Sequence, residues 1–127
     1  MDPISSRRAV RKDINLKGTF KIKDDLKHKI HLYKEPADLT LIDVSPLGCG
    51  FMASYYLPKG LILLLRIKAF PIVSDKGAKE ATKDIEFTGR VMVCKTMPSR
   101  DNKIGLEFAE IKKEDLNLVR SYIEGVA

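Results

Sequence analysis

The chain has 127 residues, room for one hydrophobic core; 44% are hydrophobic and 31% charged, a composition that excludes wholesale disorder. The formal net charge is +6, and the longest unbroken apolar run, Leu61 to Leu65, is far short of a membrane-spanning helix, which needs about 20 residues. The opening Met1 to Arg8 lacks the apolar stretch of a signal peptide, and Cys49 and Cys94 lack C-x-x-C spacing, so a cytoplasmic protein with neither disulfide framework nor zinc site is expected.

In chain order, residues 1–13 are polar and basic without periodicity and read as a flexible N-terminal arm. From Ile14 apolar residues alternate through Leu16, Phe20 and Ile22, the period of a half-buried strand. Asp24-Asp25 is a turn, and Ile30 and Leu32 mark a returning strand that Glu35-Pro36 ends. Leu39 to Val44 is the next strand, Ser45-Pro46-Leu47-Gly48 a turn, and Gly50 to Ala53 another strand. Pro58-Lys59-Gly60 turns into Leu61 to Phe70. That run fits a buried strand or a helix by periodicity alone; Gly60, Pro71 and its neighbours favour strand. Residues 74–84 are small and charged and read as a mobile loop. Ile85 to Val93 is a strand with a possible bend at Gly89, Met97 to Asn102 a turn, and Ile104 to Phe108 the last strand. Lys112 to Glu124 is the one good helix, with Leu116, Val119 and Ile123 on one face and Gly125 as its terminator. The expected fold is mostly β: a small antiparallel barrel of about six to seven strands over residues 14–127, with a C-terminal helix.

The charge is uneven. Residues 1–34 hold ten Lys/Arg against four acids, while the other 93 residues hold 13 of each sign, so the whole surplus sits at the N-terminal end and points to an anionic partner there. Most chemical motifs fail. Gly48-Cys49-Gly50-Phe51-Met52-Ala53 has the spacing of a dinucleotide fingerprint, but Pro58 leaves no room for the helix that fingerprint opens. His28 and His31 point to opposite faces of a strand and read as ordinary exposed residues; Cys49 and Cys94 read as small buried apolar groups. With two histidines and no supported nucleophile or base, no catalytic residue, metal site or cofactor is assigned, and the chain is not expected to be an enzyme.

Two patterns survive: Arg7-Arg8-Ala9-Val10-Arg11, an R-x-x-x-R just before the first strand, and Asp43-Val44-Ser45-Pro46-Leu47-Gly48, a D-x-S-x-x-G at a strand end. In this order, on a small strand-rich basic domain, they resemble the PilZ family of bacterial cyclic di-GMP receptors. Ile104-Gly105-Leu106-Glu107-Phe108 is similar to that family's closing strand. The resemblance implies ligand contacts from Arg7, Arg11, Asp43, Ser45 and Gly48, with Arg8 auxiliary. The chemistry fits. Guanine's O6 and N7 accept from a guanidinium fork, its N1–H and N2–H₂ suit the Asp43 carboxylate, and the two phosphodiesters suit the arginines. Gly48 and Gly50 would let the backbone pass close to the ligand and take positive φ.

The resemblance implies a bacterial second-messenger adaptor. Cyclic di-GMP would order the arm against the barrel and change the surface offered to an effector protein in motility, adhesion or exopolysaccharide control. Two other readings stand beside it. One is a nucleotide-free interaction module of the same fold. The other, a small basic nucleic-acid-binding barrel, is disfavoured because the chain has no Trp, and Tyr33, Tyr55 and Tyr56 are not interleaved with a basic strand face.

Overall fold

A computed structural model of the chain describes residues 11–23, 36–73 and 79–125. Arg7, Arg8, both histidines and the strand expected around Ile30 and Leu32 lie outside the described residues. Six strands, β1 (Lys12–Ile22), β2 (Ala37–Val44), β3 (Gly48–Ala53), β4 (Ile62–Val73), β5 (Lys79–Thr96) and β6 (Asn102–Ile111), precede one helix, α1 (Lys113–Gly125). They form a closed antiparallel barrel in the order β1-β2-β3-β6-β5-β4, the sheet closing on itself where β1 pairs with β4. β1 opens at Lys12, paired with Val44, so the last two residues assigned to the arm belong to the strand.

The period-two residues fill the barrel. Phe20, Leu41, Phe51, Leu63, Leu65 and Ile104 are fully buried, and the Phe20 and Phe51 rings lie 5.7 Å apart. Burying each such side chain contributes roughly 1.5–3 kcal/mol. Gly60 turns into β4 with φ +94°, a conformation that favours glycine.

Two expectations need correction. The segment read as a loop, residues 74–84, is strand from Lys79 onward: Thr82 pairs with Pro71 and Lys83 with Phe70. Ala69 there takes φ 56° at a bulge, and its N–H donates to Asp84 Oδ1 at 3.0 Å. This ribbon beyond the core holds its pairing without apolar alternation. The helix also packs through a rotated face. Val119 is buried, and Leu118, Tyr122 and Ile123 pack on the core, whereas Leu116 stays outside that group, half-buried.

Helix docking has a polar seam. Asp115 is buried in the first turn, where the helix dipole favours an acid, and accepts from Lys83 Nζ at 3.1 Å. The Tyr122 hydroxyl donates to the Asp13 carbonyl of β1 at 2.7 Å, and its ring meets Phe70 edge-on at 5.8 Å. No helix among the described residues is long and apolar enough to cross a membrane.

Candidate functional site

The position of Asp43 follows from one extra residue in β2. Leu41 pairs with Phe51 and Asp43 with Gly50, so two steps along β2 match one along β3 and Ile42 is the bulge. Strict alternation would place Asp43 on the same side as Leu41, inside the barrel. The bulge re-aims it to the outer side, while Leu41 and Val44 both remain in the core.

There Arg11 meets it, Nη1 to Asp43 Oδ1 at 2.7 Å. The Asp43 side chain is 11% exposed and that of Arg11 52% exposed, so the pair stands at a rim with the carboxylate tucked under the guanidinium. One N–H contact leaves most of the five guanidinium donors and several carboxylate lone pairs for a ligand.

The pair lines a recess of about 270 Å³ with Gly50, Val93, Lys95, Lys103 and Gly105. Gly50 and Gly105 are directly paired across β3 and β6, so the floor is bare backbone. A Cβ at Gly50 would stand 2.8 Å from both Asp43 carboxylate oxygens; the glycine makes room for the acid. Neither Gly48 nor Gly50 has the positive φ expected of it. Their requirement is close approach: a Cβ at Gly48 would fall 1.8 Å from the Leu106 carbonyl oxygen.

Ser45 is buried, and its hydroxyl closes the turn. Oγ accepts from the N–H groups of Leu47 and Gly48, both at 3.2 Å, and the Ser45 N–H donates to the Gly48 carbonyl at 2.9 Å. Arg11 and Asp43 therefore converge on the recess, whereas Ser45 and Gly48 build the turn behind it. Behind the floor lies Cys49, fully buried. Burial above all, with the Asp43 charge adding and Arg11 opposing, pushes its thiol pKa up, so the sulfur remains a neutral core group.

Val93, Lys95 and Lys103 line the recess and are candidate residues that sequence reasoning missed. Val93, a large hydrophobic residue left 57% exposed, carries no visible signal in an alternating strand. The lysines meet only through the β5–β6 register. A larger recess of about 460 Å³ lies over Lys17, Asp38, Thr40 and Met52. Its charged lining is Lys17 against Asp38 and Asp101, an acidic balance that does not suit an anionic ligand.

A family model described as PilZ domain matches residues 5–125. Among solved structures the chain is similar to the Bacillus subtilis inhibitor of motility MotI/DgrA, with TM-score 0.68 and 22% identity over 92% of this chain. The chain spans 49% of that protein's length. No match emerges among curated proteins.

Proposed function

The chain belongs to the PilZ family, and from that premise we propose that it is a bacterial receptor for cyclic di-GMP, binding the dinucleotide at the Arg11–Asp43 recess and passing the signal to an effector protein. PilZ domains are receptor and adaptor modules rather than enzymes. The observation that carries the reading is the 2.7 Å contact between Arg11 and Asp43, which joins the two motifs at one solvent-facing recess although 32 residues separate them.

In this reading the Asp43 carboxylate accepts from guanine N1–H and N2–H₂, and Arg11 donates to O6 and N7 or to a phosphate oxygen. Arg7 and Arg8 close over the ligand from the arm. Ser45 and Gly48 act through the turn, which fixes the end of β2 and hence Asp43. The arm leads directly into β1, and the Asp13 carbonyl holds Tyr122 of α1. Ordering the arm therefore acts on the strand end to which the helix is tied, and the helix with the arm forms the surface an effector reads. Motility is one candidate output, as is control of adhesion or exopolysaccharide.

Calorimetric titration of Arg11→Ala and Asp43→Ala with cyclic di-GMP tests the assignment. Each substitution should weaken binding at least about tenfold, since a hydrogen bond to a charged group contributes roughly 1.5–3 kcal/mol and tenfold is about 1.4 kcal/mol. Wild-type affinity in both folded variants would leave the nucleotide-free interaction module as the better reading.

A further inference from the structure

The wall of the recess opposite Asp43 carries an unusual pair. Lys95 of β5 and Lys103 of β6 are directly opposed in the register, both exposed and both lining the recess. Like charges directly opposite on an antiparallel pair are destabilising. Neither ammonium has a carboxylate partner among the described residues. Asp43 pairs with Arg11, and Glu107, four residues along β6 from Lys103, pairs with Arg90. The recess thus holds three cations against one carboxylate, an excess of two positive charges. Cyclic di-GMP carries two phosphodiester anions.

We propose that Lys95 and Lys103 form a phosphate clamp, holding one phosphodiester of the dinucleotide between their ammonium groups across the glycine floor from Arg11. The inference rests on the cyclic di-GMP reading and adds to it a second set of contacts outside both sequence motifs. The geometry divides the labour. Asp43 and Arg11 take the base at one rim. Gly50 and Gly105 allow the ligand close to the backbone, because a Cβ at Gly105 would reach within 2.9 Å of Val93 Cγ1 and fill the floor. The lysines neutralise charge at the other rim. Ammonium groups suit a phosphate as point charges, without the planar fork a base edge demands. A bound phosphodiester also relieves the lysine–lysine repulsion, so part of the affinity comes from strain already present in the free protein.

The test is calorimetric titration of the full chain with cyclic di-GMP at several salt concentrations, using wild type, Lys95→Met, Lys103→Met, Lys103→Arg, Asp43→Ala and Lys112→Met. Each lysine-to-methionine variant should bind about tenfold more weakly, as for loss of one charge-assisted contact, with a shallower dependence of affinity on salt. Lys103→Arg should keep most of the affinity, and Lys112→Met, beside a different recess, should bind as wild type. Thermal melting of the free Lys95→Met and Lys103→Met proteins should show no loss of stability, because each removes a repulsion. If both bind as wild type with unchanged salt dependence while Asp43→Ala loses the ligand, the clamp is overturned and the receptor reading stands. If wild type itself does not bind, both fall.

Discussion

A methyl group added at Gly50 would press on both carboxylate oxygens of Asp43 from 2.8 Å, and that acid is already held by Arg11. Gly50→Ala should therefore displace the carboxylate and weaken cyclic di-GMP binding, at a stability cost of roughly 1–3 kcal/mol typical of overpacking; titration and urea unfolding of one variant read both. Asp43→Ala should in addition narrow the preference for cyclic di-GMP over cyclic di-AMP, because only guanine offers N1–H and N2–H₂ to a carboxylate. Equal loss toward both ligands would mean that Asp43 acts by orienting Arg11 rather than by reading the base. Arg11 and Asp43 were legible as candidate site residues because the resemblance rested on their motifs, and the structure brings them into contact. That Gly50 serves Asp43 was not legible, since it follows from a cross-strand contact and not from a turn or a positive φ.

At the scale of elements, the strands were legible wherever apolar and polar residues alternate, as in Phe20 to Ile22 or Ile104 to Phe108, and illegible where pairing continues without a core to face, as from Lys79 to Asp84. The Ile42 bulge, which turns Asp43 outward, depends on how β2 and β3 pair and leaves no mark in local composition. The helix was legible, but its docked face is set by β4 and β1. Val119→Ala should cost about 2 kcal/mol, two buried carbons plus the cavity they leave, and Leu116→Ala clearly less; chemical denaturation ranks the two, and the reverse order would contradict the docking. The polar seam makes that docking sensitive to alkali. The hydrogen bond that Lys83 donates to Asp115, foremost, holds the Lys83 pKa above its ordinary 10.5, and burial first, then the Asp13 charge, holds that of Tyr122 above 10.0. Folding therefore favours the protonated form of both groups, and their stabilisation is present below those ordinary values and lost as pH rises through the raised ones. Thermal melting above about pH 10 should show stability falling more steeply in wild type than in Lys83→Met/Tyr122→Phe.

At the scale of the whole molecule, barrel closure brings residues from five segments, Arg11, Asp43, Gly50, Val93 with Lys95, and Lys103 with Gly105, to one recess. An excess of positive charge was legible at the N-terminal end; its continuation onto β5 and β6 was not, because the last 93 residues balance to zero and only the register sets two lysines side by side. A ligand gripped from the arm, β2 and β5–β6 joins segments distant in sequence. Hydrogen exchange should accordingly slow on saturation in residues 7–12 and in α1, which Tyr122 ties to Asp13. Unchanged exchange in α1 would separate binding from the proposed output. The central claim, that this recess is a cyclic di-GMP site, is tested most directly by calorimetric titration of the wild-type chain with cyclic di-GMP beside GTP and cyclic GMP. Cyclic di-GMP should bind saturably and at least about tenfold tighter than either mononucleotide; no saturable heat with cyclic di-GMP, or equal affinity for all three, would show that the recess is not such a site.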